Sequence, residues 1–546
     1  MTSKDLDRVY HELAERDRLD RHRHFSSSLL RLWDGDMATA LEVRALEFHE
    51  GEDPCWSVGG GASRFPYASP EGHFLWDLIH PDEDVHLTVE LVDPDDPARG
   101  WESRVAFKAV AVDLVEEEDG SEWVEVEWQT ILLHWDQMIL MALPMLPPQV
   151  QPLKYWPAIG PIRSSFLLAW QLALAVTYAP LWRFVDDWAS PAAYAEAVDP
   201  RRWPMVVSPL NVMRDGTKPQ ISVFRFDMAL PAMVDALRDA DCIPVARQWL
   251  PGDPQPFPDH VVLVRPTVVI DIEHHTVVPG MTGTLLDGFI NLAVQIGDDL
   301  VTQVVHPVLD PYDQRPLPSQ HPIGDRLGLA PAKPWPGYRR GEYSGIIGGR
   351  ISRKKSMGTV FWTGGRSPEW VNQAITLAIT TALDYLGFAM AIPGLGNLYQ
   401  GQFDNTLLAF AKVEDRRRAR RAGRFARRHV WCSEGGTGFG MATAIALRQG
   451  WFDTRPRLVR TVEVVDGFPH RIYRDVRKGE QCWFEMPDGS IYVDRVTNIK
   501  HRLDRETELR FALVIGDDTG DEDVIAQLWA QANHIRDVAR KIFLEK

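Results

Sequence analysis

An apolar, helix-like stretch between two β-patterned regions constrains the fold of this chain more than any other feature. Ser367-Pro368-Glu369 is a helix start with proline at the first helical position. Residues 374–392 are almost entirely Ala, Ile, Leu and Thr, and Pro393-Gly394-Leu395-Gly396 then interrupts the run. A second helical pattern covers 403–428. The order of these parts predicts a helical hairpin inserted into a β-framework, which suits assembly better than catalysis.

β-patterned segments lie on both sides of this insertion. Between residues 26 and 140, apolar and polar residues alternate in several short runs, and turn signals such as Asp34-Gly35 separate them. The same texture returns over 205–365 and 451–516. The sequence therefore predicts an α+β fold that is mainly antiparallel β, with helical insertions and a helix at each terminus.

The chain has 546 residues, which is more than one hydrophobic core supports, so several domains are expected. We predict an N-terminal helix (1–25), a first β-barrel domain (26–140), a helical and loop insertion (141–204), a second β-rich domain (205–365), the helical hairpin with its arginine-rich helix (366–450), the completion of the second domain (451–516) and a C-terminal helix (517–546). The apolar run 166–182 is shorter than the ~20 residues of a membrane span. A buried helix is therefore favoured there over a membrane segment.

Charge and cysteine content exclude several classes of protein. The net charge is −17, so general nucleic-acid binding is disfavoured, because neutralised phosphates supply most non-specific affinity. An acidic channel wall would still let DNA pass without sticking. The four cysteines have no metal-ligand or redox spacing, which favours folding in a reduced cytoplasm.

Eight arginines between residues 416 and 428 form the strongest charge feature. At helical spacing five of them share one face: Arg417, Arg420, Arg421, Arg424 and Arg428. Three interpretations stay open: a solvated helix face, contact with an acidic surface of this or a neighbouring protein, and contact with nucleic-acid phosphate. No base-stacking aromatic pattern accompanies the arginines, which argues against the last.

The apolar hairpin must bury its surface against something. Leu377, Ile392 and Leu395 are the residues we expect to contact a partner. The host membrane is the other route, but Asp384 and the threonines of this run argue against lipid exposure. Burial between protein subunits is therefore favoured.

One group of residues could carry chemistry. In Asp271-Ile272-Glu273-His274-His275, a strand would place Asp271, Glu273 and His275 on one face, where they could bind a metal. No cluster at HExxH spacing completes such a site, and the glycine-rich segments lack the Gly-Lys-Ser/Thr of a P-loop. A solvated strand face is favoured, and we predict no catalytic, cofactor-binding or metal-binding residues.

Three segments resemble one known family. They are 364–372 with the apolar helix after it, Asn405-Thr406-Leu407-Leu408-Ala409-Phe410 before the basic stretch, and the final region from Ile491-Tyr492-Val493-Asp494 through Val514-Ile515-Gly516-Asp517. Together they are similar to the tail-tip hub, or minor tail, proteins of long, non-contractile-tailed phages of mycobacteria and related actinobacteria.

The resemblance implies two tail-tube-like β-barrel domains in a homotrimer, which gives a pseudo-sixfold ring that closes the tail tube. It implies a virion tail-tip location, assembly in the host cytoplasm, and contact with the distal tail ring, the tape-measure protein C-terminus and other minor tail proteins. DNA would touch the protein only in transit, and no C-terminal hydrolase domain is expected. The alternative is a tail-associated cell-wall hydrolase that uses Asp271, Glu273 and His275 or a carboxylate pair.

Overall fold

The computed structural model describes residues 27–93, 96, 98–141, 156–178, 200–275, 336–341, 344–364, 410–426, 429–432, 446–447, 450–451, 453–489, 491–505 and 509–516. These residues fall into two compact units. The first contains the described parts of 27–351 and 460–516, and the second contains those of 352–459. The described chain is mainly antiparallel β with few helices, which confirms the predicted class.

The strands of the chain are short and numerous. In chain order they are β1 Ser27–Trp33, β2 Ala40–Glu42, β3 Phe48–Pro54, β4 Gly60–Pro66, β5 His86–Val92, β6 Val105–Glu116, β7 Glu122–Thr130, β8 Ile139–Leu140, β9 Trp156–Pro161, β10 Met205–Val207, β11 Pro219–Phe224, β12 Asp227–Met228, β13 Cys242–Trp249, β14 Thr267–His274, β15 Gly337–Tyr338, β16 Ile346–Lys354, β17 Val360–Gly364, β18 Phe410–Glu414, β19 His429–Trp431, β20 Arg457–Val465, β21 Gln481–Glu485, β22 Ile491–Asp504 and β23 Arg510–Ile515.

The described helices are fewer. They are α1 Pro70–His73, which a π-helical turn Phe74–Leu78 continues, α2 Arg99–Ser103, α3 Leu133–Gln137, α4 Ile162–Tyr178, α5 Ala229–Asp239 and α6 Arg416–Ala422, with 3-10 turns at Pro200–Arg202 and Val212–Arg214.

One sheet of thirteen strands organises the first unit within the described residues. Its order is β16-β20-β23-β22-β3-β4-β7-β6-β5-β1-β2, while β21 pairs with β22 and β15 with β21. The ladders from β20 to β2 are antiparallel. The strands predicted for the first domain and for the end of the second are thus hydrogen-bonded in one sheet. The division into two closed barrels stays a prediction.

The alternating pattern of β7 shows why these residues form strands. Its buried side chains are Val124, Val126, Trp128 and Thr130, and glutamates lie between them on the exposed face. One face of such a strand covers the core and the other meets water. The period-two signal in the sequence is therefore a direct record of burial.

Helix α4 builds a second core beside the sheet. Trp170 is fully buried, and its ring centroid lies 5.1 Å from that of Trp135 on α3. Phe166, Leu167 and Leu174 complete the buried face of the helix. The buried helix predicted from residue 166 is confirmed as far as Tyr178, where the described segment ends. Within the described residues, we find no helix with the length and apolar character that a membrane crossing requires.

The ladder between β3 and β22 joins residues that are far apart in sequence. Gly51 pairs with His501, and a Cβ on Gly51 would lie 2.8 Å from the His501 ring, so only glycine fits. His49 Nε2 lies 3.1 Å from His501 Nε2, and His49 Nδ1 lies 2.8 Å from Ser63 Oγ. Burial lowers the pKa of His501 to about 4. Burial and the charge of His501 hold the pKa of His49 well below its usual value.

The second unit contains a three-stranded sheet in the order β18-β17-β19. β17 pairs antiparallel with β18 and parallel with β19. The prediction of a helix through 403–428 is wrong at Phe410–Glu414, which forms β18; among the described residues of this range the helix covers Arg416–Ala422. The hydrogen bonds that β17 offers outweigh a modest local helix propensity.

We expect stability to fall with acid because of the buried histidines. The folded state holds His49 and His501 neutral, whereas the unfolded chain protonates them near pH 6.5. The unfolded state therefore binds more protons as the pH falls from 6.5 towards 4, and the free energy of unfolding decreases over that window. His501→Gln should weaken this pH dependence, whereas His80→Gln, at an exposed position, should leave it unchanged. Denaturant midpoints measured from pH 7.5 to 4.5 provide the check; an identical slope in both variants would contradict the assignment.

We expect Trp170→Ala to lower the free energy of unfolding by about 3–5 kcal/mol, because it leaves a large cavity between α3 and α4. Trp76→Ala is the matched control, since Trp76 is 43% exposed, and it should cost about 1 kcal/mol or less. Urea denaturation followed by circular dichroism measures both. Equal losses in the two variants would show that α4 does not depend on this packing.

Candidate interaction surface

The basic surface of the second unit starts at a helix cap. The Asp415 side chain accepts a hydrogen bond from the Arg418 backbone N–H at 2.9 Å and another from Trp451 Nε1 at 2.8 Å. Burial would raise the pKa of the Asp415 carboxyl, but these donors and the positive charge of Arg418 outweigh it and lower the pKa. Asp415 is thus a charged N-cap that starts α6 directly after β18.

Arg418 is the arginine of α6 that points inward. Its guanidinium donates to Thr454 Oγ1 at 3.0 Å, to the Trp451 carbonyl at 3.0 Å and to the Gly358 carbonyl at 3.3 Å. It also lies 5.2 Å from the centroid of the Trp451 ring. These contacts tie α6 to Gly358, just before β17, and to the segment that contains Trp451 and Thr454, so Arg418 is an anchor and not part of the exposed surface.

The remaining arginines of the described stretch are exposed. They are Arg416, Arg417, Arg420, Arg421 and Arg424. Gly423 follows the helix with a φ of 86°, a left-handed conformation that favours glycine, and therefore ends α6 before Arg424. Phe425, just beyond it, is 98% exposed. We call the exposed Arg416, Arg417 and Arg420 the basic surface.

The predicted contact residues are only partly placed by these findings. Arg417, Arg420 and Arg421 lie on α6, and Arg424 lies after its end. Arg428, Leu377, Ile392 and Leu395 lie outside the described residues. Their role as partner contacts therefore stays a prediction.

A row of aromatic and basic side chains crosses the small sheet beside α6. Trp362 pairs with Lys412 on one neighbouring strand and with Trp431 on the other. Trp362 Nε1 donates to His429 Nδ1 at 2.8 Å, and Lys412 Nζ lies 5.2 Å from the centroid of the Trp362 ring. Because Lys412 and Trp431 are exposed, this row extends the cationic region onto the strands.

The segment that contains α6 has a net positive charge, whereas the rest of the chain is net negative. Residues 352–459 hold 16 Lys or Arg and 7 Asp or Glu, which gives +9. The whole chain carries −17, so the remaining residues together carry −26. This segregation is the electrostatic feature to which a partner would respond first.

The carboxylate and imidazole cluster on β14 is a set of ion pairs. Arg163 Nη2 lies 2.8 Å from Asp271 Oδ1, and Arg247 Nη2 lies 2.6 Å from Glu273 Oε1. Burial would raise the pKa of Glu273, but His275 and Arg247 outweigh it and lower the pKa to about 2. No group of three or more metal-ligating side chains occurs among the residues that the structure describes. The solvated strand face expected here is thus replaced by paired, partly buried charges.

Sequence reasoning missed the two residues that fix this surface. Asp415 comes directly before the arginine run and has the N-cap signature, which could have located the start of α6. The inward orientation of Arg418 had no such signal, because its partners at Gly358, Trp451 and Thr454 are remote in sequence.

A family model matches residues 29–517, which is most of the chain. The chain belongs to the family described as Siphovirus ReqiPepy6 Gp37-like protein. Two curated relatives are the minor tail proteins Gp28 of Mycobacterium phages L5 and D29. Each is 21% identical over 469 residues, covering 74% of this chain and 77% of the relative.

Solved structures of tail proteins also resemble this chain, at low similarity. The tail protein from Neisseria meningitidis MC58 is 9% identical with a TM-score of 0.37, covering 90% of this chain and 97% of that one. The 43 kDa tail protein of prophage MuSo2 from Shewanella oneidensis is 9% identical with a TM-score of 0.41, covering 91% and 100%.

The family and the curated relatives establish the class of protein. This chain is a structural protein of a phage tail, located in the virion tail, and it is not an enzyme. The alternative of a cell-wall hydrolase is therefore not retained, and Asp271 and Glu273 act as structural ion-pair partners.

We expect Arg418→Ala to lower the free energy of unfolding of the second unit by about 2 kcal/mol, since it removes three hydrogen bonds and leaves Asp415 without its neighbouring charge. Arg417→Ala is the control, because Arg417 is exposed one residue away, and it should change stability by less than about 0.5 kcal/mol. Limited proteolysis at increasing urea concentration reports on this unit. Equal resistance of the two variants would contradict an anchoring role.

Proposed function

We propose that this tail protein is the hub of the tail tip, a homotrimer that closes the tail tube and lines the DNA channel. It connects the distal tail ring and the tape-measure protein to the receptor-binding tip. One observation carries the proposal: the family match extends over residues 29–517 and so includes both the first and the last strands of the large sheet. The family match thus covers the large sheet, which is the part of the chain that would form the hub.

In this proposal the two tail-tube-like β domains supply adjacent parts of one sheet. β1–β7 come from the first, and β16 and β20–β23 come from the second, with the β3–β22 ladder between them. Three copies would then give six such β domains around the tube, which is the pseudo-sixfold ring expected above. In such a ring each β domain lies next to another, which covers sheet edges that would otherwise promote aggregation.

The charge distribution supports a role in which DNA passes the protein without binding it. Outside 352–459 the chain carries −26, so a channel wall built from those residues repels phosphate. The partners of this hub are the distal tail ring, the tape-measure C-terminus and other minor tail proteins. Partner contacts are assigned to Arg417, Arg420, Arg421, Arg424, Arg428, Leu377, Ile392 and Leu395.

We expect three copies of the chain in each tail tip, on a threefold axis at the end of the tube. Electron microscopy of intact virions, with density assigned by an antibody fragment against this chain, measures both position and symmetry. Quantitative mass spectrometry of purified tails against the distal ring gives the copy number. One or six copies, or a position along the tail shaft, would rule out the hub.

We expect Leu377→Asp to block tail assembly, because a buried charge in the apolar hairpin would oppose protein–protein burial. Leu377→Met keeps the apolar character of the position and should assemble normally. Counting complete tails in lysates by electron microscopy compares the two. Complete particles of the Asp variant that fail only at DNA delivery would instead support burial of the hairpin in the host membrane.

A further inference from the structure

The hairpin of β6 and β7 carries the strongest negative charge among the described residues. Between residues 110 and 127 there are eight acidic residues and no Lys or Arg. All eight are exposed: Asp113, Glu116, Glu117, Glu118, Asp119, Glu122, Glu125 and Glu127. We call this segment the acidic hairpin.

The strand register places like charges opposite each other in this hairpin. Asp113 pairs with Glu125, and Glu116 pairs with Glu122. Opposed like charges destabilise a pair of strands. Arg64 offsets part of this by contacting Glu117 and Glu125. No Lys or Arg lies within 4 Å of the other acidic side chains on the strands, as far as the described residues show. The repulsion at Glu116 and Glu122 is thus left for a cation outside the hairpin to relieve.

The basic surface has the opposite imbalance. Arg416, Arg417 and Arg420 are exposed, and no carboxylate within the described part of the chain lies within 4 Å of their guanidinium groups. They project from a helix whose position Asp415 and Arg418 hold firmly. Three arginines on an anchored helix match a row of carboxylates better than a flexible basic tail would.

We propose that the basic surface of one copy docks on the acidic hairpin of a second copy of this chain. The inference rests on the proposed homotrimer and names the contact that joins its subunits. A second copy fits better than nucleic acid. Phosphate would neutralise the arginines but would not relieve the repulsion between the carboxylates of the acidic hairpin. A contact between two different patches of the same chain is heterologous, and it closes into a ring when the rotation between copies permits.

The docking is electrostatic and should depend on salt. Exposed ion pairs contribute about 0.2–1 kcal/mol each, so the contact steers and registers subunits more than it holds them alone. Screening at high ionic strength weakens such pairs further. Apolar burial elsewhere in the assembly supplies the rest of the association energy.

Charge reversal and rescue test the pairing. Variant one carries Arg416→Glu, Arg417→Glu and Arg420→Glu. Acidic residues suit the first turn of α6, which contains 416 and 417, and the single change in its last turn, at 420, costs about 0.3–1 kcal/mol. Variant two carries Glu116→Lys, Glu118→Lys and Glu122→Lys. Each variant is supplied to a phage that lacks the wild-type chain, and complete tails are counted. Each variant alone should reduce the number of complete tails at least tenfold, and the two sets of changes combined in one chain should restore it. A control with the same change in net charge as variant one carries Arg44→Glu, Arg214→Glu and Lys355→Glu and should assemble normally.

A cysteine pair shows which chains are in contact. Arg420→Cys with Glu118→Cys should give covalent links between copies in oxidised tails, seen as oligomers on a non-reducing gel. Cys432 is only partly buried, so it is replaced by Ser in every variant. Either single-cysteine variant should then give none, since the remaining Cys55, Cys242 and Cys482 are buried. A disulfide within one chain, or the absence of any link, would overturn the docking. So would a failure of the combined charge reversal to restore tails, which would assign the arginines to another polyanion.

The two levels of the proposal fail in different ways. Tails that contain three copies of this chain but show no link between copies leave the hub intact and reject this interface. Tails with another copy number reject the hub itself.

Discussion

The ladder between β3 and β22 is the constraint on which the rest of the first unit depends. It pairs Phe48–Pro54 with residues more than 440 positions later, so the chain between them forms a very large loop. Closing such a loop costs conformational entropy, which the ladder recovers only together with the core that it helps to bury. His49, Gly51 and His501 meet Phe107 at this point, so the seam is packed as tightly as a core and not as a surface contact.

Buried ion pairs then fix how distant segments sit on this sheet. Arg99 Nη2 lies 2.6 Å from Asp466 Oδ1, with 1% and 6% of the two side chains exposed. Arg104 joins Glu90 on β5 to Asp253 after β13. Buried pairs of this kind add little net stability, but removing one partner is costly, so they select one arrangement over its competitors. The net charge is distributed unevenly along the chain, with the positive excess in 352–459 and the acidic hairpin in the first unit.

Local pattern alone determined a large part of this protein. The alternation in Glu122–Thr130 specifies a strand with one buried face, and the apolar run after residue 166 specifies a buried helix. The strand signal depends on residues two positions apart, and the helix signal depends on residues three or four positions apart. Both can be read from a single sequence. Short stretches of sequence also showed that no complete catalytic or metal-binding motif is present and that the chain resembles phage minor tail proteins. The cluster of arginines was visible as well, although not which of them faces inward.

Only the tertiary structure decided the features that rest on distant partners. Phe410–Glu414 is a strand because its backbone pairs with β17, and the helix propensity of the segment is too weak to compete with that pairing. Arg418 is an anchor and Arg417 is exposed because Trp451 and Thr454 lie on one side of α6. The β3–β22 pairing joins the two predicted β domains in one sheet for a similar reason. Hydrogen-bond ladders and buried ion pairs depend on groups that are neighbours in space, and a one-dimensional pattern does not record them.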